Sequence, residues 1–116
     1  MADIDYFMIT LSPFCYLAGD GLEQVAKKHG ATITYKPCNL FQVFSQTGGV
    51  APADRHPARQ AYRLQELARI AKRRELPINL KPAFFPTNPA PSCYALIAAQ
   101  NAGGGNVGGL AHSYMR

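Results

Sequence analysis

The stretch Ile9-Thr10-Leu11-Ser12-Pro13-Phe14-Cys15-Tyr16-Leu17 decides the fold of this 116-residue chain. The residues that lead into it, Ile4 to Leu11, are rich in β-branched and aromatic types, which favours a buried strand. Pro13 has the fixed φ that is preferred at the first position of a helix. The pattern therefore predicts a strand over residues 5–11, a helix that begins at Pro13, and Ser12 as its N-cap.

Ser12 is the first candidate functional residue. The start of a helix offers unpaired backbone N–H groups and the positive end of a dipole, so an anion beside Ser12 would be stabilised by both. Ser-Pro helix starts are common, however, and the alternative is a serine that only caps the helix.

The next elements complete a βαβ unit. Apolar spacing predicts one helix over residues 13–29, and Gly30 fits the position that follows a helix end. Residues 31–36 alternate between apolar and polar types and predict a second strand, parallel to the first because connections of this kind are right-handed crossovers. We expect residues 1–38 to form this βαβ unit as an N-terminal domain.

The rest of the chain predicts an active-site loop and a helical region over residues 39–116. Five prolines pin residues 77–91 in an extended connection, and Gly103-Gly104-Gly105 separates the last two helices. The final apolar pattern stops without a helix end, which indicates a truncated element. The predicted elements are a short helix over 40–44, a loop over 45–57, and helices over 58–75, over 92–102 and from 106 onward.

The chain is basic, with a net charge of +5, and its cations are concentrated between Arg55 and Arg74. Apolar residues recur every three or four positions through this region, so most of the cations form the solvated face of an amphipathic helix. No nucleic-acid motif accompanies them. A small anionic substrate explains part of the charge, and we expect no nucleic-acid partner. The solvated cations are Arg63, Arg69, Lys72, Arg73 and Arg74.

The number of cysteines and the N-terminal sequence indicate in which cellular compartment the protein is found. Three cysteines, an odd number, argue against a disulfide framework, and their spacing matches no metal site. The N-terminus has two acids and no secretory pattern, and no apolar run is long enough to span a membrane. We expect a cytoplasmic protein without a metal and without a membrane partner.

Four segments occur in the order found in one enzyme family. They are Leu11-Ser12-Pro13-Phe14-Cys15-Tyr16-Leu17-Ala18, Gly48-Gly49-Val50-Ala51-Pro52, the pair Arg59 and Tyr62, and Phe85-Pro86-Thr87-Asn88. Together they resemble the N-terminal part of the 2-hydroxychromene-2-carboxylate isomerases and the related kappa-class glutathione transferases. The resemblance implies an α/β fold: a thioredoxin-like βαβ unit with an α-helical insertion, and the C-terminal half of the fold missing.

The resemblance implies a glutathione-dependent cis–trans isomerase of aromatic catabolism, with a small anionic aromatic or 2-oxo acid as substrate. Ser12 would be the catalytic residue, and the pattern departs from the family at Gly49 and Asp54, where many members have asparagine. The implied glutathione contacts are Ser12, Gly49 and Arg59, and the implied substrate contacts are Asp54, Arg55 and Asn88. We expect Ser12 and the two arginines to face one cleft that is open to solvent.

Three alternatives stay open. A kappa-like glutathione transferase has the same resemblance. A thiol–disulfide oxidoreductase would use Cys15, because Ser12-x-x-Cys15 is a redox motif with its first cysteine replaced, although a small buried hydrophobe is the simpler interpretation of Cys15. The third alternative is a truncated, catalytically idle chain that acts only through association with another chain, for which a homodimer is the simplest arrangement.

Overall fold

The fold was analysed in a computed structural model, which describes residues 2–116. It is a mixed α/β structure with two strands and six α-helices in that range. In chain order the elements are β1 (Asp3–Met8), α1 (Pro13–Leu17), α2 (Gly21–His29), β2 (Thr32–Pro37), α3 (Leu40–Thr47), a 3₁₀ turn (Pro52–Asp54), α4 (Pro57–Arg74), α5 (Ala90–Ala102) and α6 (Val107–Met115).

The two strands are parallel neighbours, which confirms the predicted βαβ unit. The register runs from Asp3 opposite Thr32 to Met8 opposite Pro37. The strand β1 ends at Met8, whereas the sequence predicted that it continues to Leu11. The ladder stops because the partner strand ends at Pro37, which has no backbone N–H, and the next amide, that of Cys38, closes the pair by donating to Met8 O at 2.9 Å.

The predicted helix over residues 13–29 is wrong in one respect, because it is two helices. The first, α1, ends at Leu17, and Gly19 then takes a left-handed φ of +60°, which a helix interior does not allow. A new helix, α2, starts at Gly21 after Asp20 and ends at His29, with Gly30 in the left-handed position after it, as predicted. The helix that follows Ser12 therefore has only five residues.

The chain divides into two compact units. Unit 1 contains the residues up to Cys38 together with Pro86–Arg116, and unit 2 contains Asn39–Phe85. The sequence-based boundary assigned 39–116 to one second domain, whereas α5 and α6 pack with β2 and α1 in unit 1. The apolar side chains of α5 and α6 cover the sheet face that a lone βαβ unit would leave in water.

Unit 1 has its core between the sheet and these two helices. Met8, Tyr35, Leu96 and Ala111 are buried there, and Leu96 is 0% exposed. The edge of β2 is closed by a side chain: Tyr35 N donates to Gln100 Oε1 at 2.8 Å, and Gln100 Nε2 donates to Tyr35 O at 2.9 Å. The Gln100 amide thus takes the place of a neighbouring strand at that position.

Unit 2 consists of α3, the 3₁₀ turn and α4. The helix α3 extends to Thr47, three residues beyond the predicted end, because Gly48 supplies a left-handed end with φ +75°. The long helix α4 starts at Pro57, and His56 caps it by accepting from Ala58 N through Nδ1 at 3.1 Å. Its buried face is formed by Leu67 and Ala71.

Candidate functional site

Ser12 is the N-cap of α1, as predicted. Its Oγ accepts from Cys15 N at 3.3 Å, and Pro13 occupies the first helical turn. Ser12 N donates to Ile9 O at 3.3 Å, which makes a tight turn between β1 and the helix. Accepting from Cys15 leaves the hydroxyl hydrogen of Ser12 available, so this half-buried group can donate to a ligand.

The short length of α1 changes the electrostatics expected at Ser12. A dipole summed over five residues is weaker than that of the predicted 17-residue helix, so it favours an anion less. The hydroxyl of Ser12 and the amides of the first turn therefore provide most of what the site offers an anion.

The loop that carries Ser12 is held by Thr10. Thr10 is 9% exposed, and its Oγ1 lies 2.7 Å from Ser92 Oγ and 3.5 Å from Cys93 Sγ. Ser92 and Cys93 lie in the first turn of α5, so the start of that helix is joined to the loop before α1. Sequence reasoning missed this contact, because its partners are 82 residues apart in the chain.

Asn88 is exposed and shapes the start of α5. Its Oδ1 accepts from Ala90 N at 3.1 Å, which is an Asx-turn. Its amide nitrogen still has two hydrogens to donate. Asn88 belongs to unit 1, as Ser12 does, whereas Gly49 and the other candidates belong to unit 2.

In unit 2 the backbone conformation places Arg55 at the end of the 3₁₀ turn. Its Nε donates to Val50 O at 2.9 Å, and Gln60 Nε2 donates to Arg55 O at 2.8 Å. The first bond holds the guanidinium and the second holds the backbone of Arg55, which is half-buried, while Asp54 and Arg59 are exposed. Of the unit 2 candidates, Arg55 is therefore the one with a fixed orientation.

Gly49 is packed too closely to carry a side chain. A Cβ there would lie 2.5 Å from Phe44 Cδ1 and 3.1 Å from the Phe44 Cα. Phe44 therefore occupies the space that an asparagine side chain at this position would need. Gly49 therefore offers only its backbone groups to a ligand.

Arg63 is a candidate that sequence reasoning missed. It was assigned to the solvated face of α4, yet it is half-buried. Burial lowers the pKa of the Arg63 guanidinium, and the positive charge of Arg55 lowers it further. The four-residue spacing of Arg55, Arg59 and Arg63 was the available signal, since it puts the cations along one side of a helix and its approach.

None of the three cysteines forms a disulfide within residues 2–116. Cys93 is buried, while Cys15 and Cys38 are half-buried. Burial raises the pKa of the Cys38 thiol, and the electrostatic influence of Cys15 and Cys93 raises it further. No cluster of histidine, cysteine and carboxylate side chains in this range has the arrangement of a metal site.

The helices of residues 2–116 do not include one that is both long and apolar enough to cross a membrane.

The thioredoxin-like fold and the enzyme family implied by the sequence have counterparts among known proteins. A solved 2-hydroxychromene-2-carboxylate isomerase superposes on 97% of this chain with a TM-score of 0.69 and 25% sequence identity. The matched region is 51% of that solved chain.

Sequence relatives carry two names. A 2-hydroxychromene-2-carboxylate isomerase of Pseudomonas sp. (strain C18) is 33% identical over 73% of this chain and 38% of its own length. Glutathione S-transferase kappa 1 of Caenorhabditis elegans is 32% identical over 71% of this chain and 36% of its own length. The chain thus spans about half the length, or less, of the proteins it matches.

These comparisons confirm the resemblance deduced from the four sequence segments and the thioredoxin-like fold class. A family model described as the DSBA-like thioredoxin domain matches residues 3–116, which is nearly the whole chain. The chain therefore belongs to the family of DSBA-like thioredoxin domains.

Proposed function

We propose that this chain contributes the glutathione-activating part of a cis–trans isomerase of the 2-hydroxychromene-2-carboxylate type, active in aromatic catabolism in the cytoplasm. The observation that carries the proposal is Ser12, which caps the helix after β1 with a hydroxyl that can still donate. The names of the relatives support an isomerase or transferase. The substrate would be a small anionic aromatic or 2-oxo acid.

Ser12 suits this chemistry because a hydroxyl donor favours the charged form of a thiol. A thiol with an ordinary pKa is mostly protonated at neutral pH, and a hydrogen bond to the thiolate lowers that pKa. When bound, glutathione would supply a thiolate that adds to a conjugated carbon and leaves after bond rotation. Ser12 would hold that sulfur by donating its hydrogen and would itself form no covalent bond.

The arginines of unit 2 support an anionic ligand. Residues 39–85 contain eight Lys and Arg and three Asp and Glu, so they carry the whole net charge of +5. Burial and then the positive charge of Arg55 lower the pKa of Arg63, and a carboxylate bound to both guanidinium groups would offset the repulsion that Arg63 experiences. We propose Arg55 for the substrate, Arg59 for glutathione, and Arg63 as an addition to this set.

The remaining candidates have weaker support. Asp54 is exposed, and its carboxylate would repel an anionic substrate. Its proposed substrate contact would therefore use the backbone of Asp54, or the substrate would differ from the anionic one. Gly49 can contribute only backbone groups to glutathione. Asn88 keeps its proposed substrate contact through the amide hydrogens.

The deciding experiment compares Ser12→Ala with Cys15→Ser in the 116-residue chain. The ultraviolet thiolate band of added glutathione is titrated against pH. Isomerase turnover is measured as well if the parent chain shows it. Ser12→Ala should lower turnover by about one to three orders of magnitude and return the thiol to its ordinary pKa, because one donor to a critical anion is lost. Cys15→Ser should change both little.

Ser113→Ala is the matched control, because it removes an exposed hydroxyl that only donates to Gly109 O on α6. It should behave as the parent chain does. If Ser12→Ala titrates glutathione as the control does, the proposed role of Ser12 is wrong. Insulin reduction that survives Ser12→Ala and disappears in Cys15→Ser would support the disulfide oxidoreductase alternative.

A kappa-like glutathione transferase is the second candidate, because one relative with 32% identity carries that name. It needs the same thiolate and the same Ser12 donor, so the mutants above do not separate it from an isomerase. The substrates do: a transferase consumes glutathione with an electrophile such as a chloronitrobenzene, whereas an isomerase leaves the glutathione concentration unchanged.

A further inference from the structure

The buried hydroxyl of Thr10 lies two residues before Ser12, at the point where the chain leaves the sheet. Within residues 2–116, Thr10 is the one serine or threonine that is buried, at 9% exposure. Its neighbours Met8 and Ile9 are 2% and 4% exposed, so three consecutive residues anchor this loop. A valine has nearly the same shape and would bury no polar atom, so packing alone does not explain a threonine here.

The hydrogen bonds around Thr10 run in one direction. Ser92 Oγ donates its single hydrogen to Pro89 O at 3.0 Å, so it accepts from Thr10 Oγ1 at 2.7 Å. With its own hydrogen used, Thr10 accepts from the Cys93 thiol at 3.5 Å. This direction fixes the rotamers of both hydroxyl side chains, because each hydrogen has one acceptor.

We propose that Thr10 and Ser92 are positioning residues for Ser12, an inference that rests on the proposed use of the Ser12 hydroxyl. The 2.7 Å bond ties the loop to the first turn of α5. From Thr10 the chain makes the turn in which Ser12 N donates to Ile9 O, and Ser12 Oγ then accepts from Cys15 N. Fixing Thr10 therefore fixes the direction in which the Ser12 hydroxyl presents its hydrogen.

Thr10→Val and Ser92→Ala each remove this tie without touching Ser12. In both variants the midpoint of the glutathione thiolate titration should rise by about half to one pH unit, the loss of part of one hydrogen bond. Thr10→Ser keeps the hydroxyl and should restore the parent midpoint. Thr34→Val makes the same change on the exposed face of β2 and should have no effect. A loss of packing alone would not move a thiolate midpoint or be rescued by serine.

Hydrogen exchange of the Cys15 amide gives a second readout that needs no glutathione. This amide donates to Ser12 Oγ, and its exchange should become about tenfold faster in Thr10→Val and in Ser92→Ala relative to Thr34→Val. Where Thr10→Val does not fold, Ser92→Ala carries both measurements. Cys15 exchange equal to that of the control would overturn the positioning role.

The two proposals fail differently. If the glutathione titration of the parent chain matches that of Ser12→Ala, the proposed function would be overturned. The proposed role of the Thr10–Ser92 hydrogen bond in catalysis would then be overturned as well. If the parent chain lowers the pKa of the glutathione thiol, and the Thr10→Val and Ser92→Ala variants lower it by the same amount, only the positioning role would be overturned.

Discussion

Tyr35, Glu23 and His112 form a hydrogen-bonded group in unit 1, with Glu23 in contact with both of the others. The Tyr35 hydroxyl donates to Glu23 Oε1 at 2.7 Å, and the same oxygen lies 3.3 Å from His112 Nε2. The other carboxylate oxygen, Glu23 Oε2, is buried and has no hydrogen-bond partner among residues 2–116. Burial first, and then the hydrogen bond and charge of Glu23, raise the pKa of Tyr35 above its usual 10.0. The folded protein therefore holds the Tyr35 proton more tightly than the unfolded chain does.

We expect Tyr35→Phe to lower the free energy of unfolding by about 1.5 to 3 kcal/mol at neutral pH, since a hydrogen bond to a charged group is lost. Because the pKa of Tyr35 is higher in the folded protein than in the unfolded chain, the bound proton stabilises the folded state. This stabilisation is fully present below the unfolded pKa near 10, and it is lost as the pH rises through the folded pKa. The difference between parent and variant should therefore shrink above about pH 10. Denaturant unfolding at about pH 7 and about pH 11 measures it, and an equal difference at both would contradict this role.

Asn88 offers a test that separates its two roles. Asn88→Asp keeps the oxygen that accepts from Ala90 N and adds a negative charge at the start of α5, so the stability should be unchanged or higher. Asn88→Ala loses that bond and should cost about 1 kcal/mol. If the amide also binds substrate, both variants should raise KM. Stability loss in the alanine variant with KM unchanged in both would leave Asn88 with the structural role alone.

Sequence reasoning succeeded for single residues where the signal is local. The role of Ser12 as N-cap follows from the Ser-Pro pair, because capping involves only the N-cap residue and the first turn of the helix that follows it. It failed where the deciding partner is distant in the chain or depends on packing. Thr10 meets Ser92 only after α5 folds onto the sheet, and the close approach of Phe44 to Gly49 depends on the exact end of α3.

At the scale of elements, the edge of β2 depends on one glutamine of α5. Gln100→Met has a similar length and no polar atoms, and it leaves both Tyr35 backbone groups without their partner. We expect it to lower the free energy of unfolding by about 2 to 4 kcal/mol, because each unsatisfied buried group costs about 1 to 3 kcal/mol and water recovers part of that. Thermal unfolding or denaturant titration measures the change.

Gln100→Glu is the informative companion. It keeps the oxygen that accepts from Tyr35 N, but it places a second acceptor against Tyr35 O, so at neutral pH it should be at least as destabilising as the methionine variant. Its stability should recover at acidic pH, where the protonated carboxyl can donate. Asn101→Met, on an exposed neighbouring position of α5, is the control. A Gln100→Met variant as stable as that control would show that the edge does not need the amide.

The type of most elements could be predicted from the sequence, but several boundaries could not. Both strands and the long helix α4 were predicted because alternation and three-to-four spacing are strong signals over many residues. The break at Gly19 was missed because the apolar spacing continues across it, and a glycine inside such a pattern does not show its φ. The end of β1 at Met8 is set by the length of β2, which is a property of the pair.

At the scale of the whole molecule, the buried apolar residues are unevenly divided between the two units. Ten hydrophobic residues are buried in the part of the chain that the structure describes, residues 2–116. Unit 1 contains eight of them and both strands, whereas the other two, Leu67 and Ala71, belong to unit 2. The helix α3 of unit 2 has no buried residue. Sequence reasoning gave residues 86–116 to the second domain because chain order was its only guide, and the packing of α5 on β2 assigns them to unit 1.

Local stability should follow this division. Regions with few buried apolar contacts open more often, so the backbone amides of α3 and α4 should exchange with solvent at least about tenfold faster than those of β1 and β2. Hydrogen exchange read by mass spectrometry on peptic fragments measures both units in one sample, and the terminal turns of α6 provide an internal reference for fraying. If the central amides of α4, around Leu67 and Ala71, are as protected as those of β2, the two units unfold together and the uneven burial does not govern their stability.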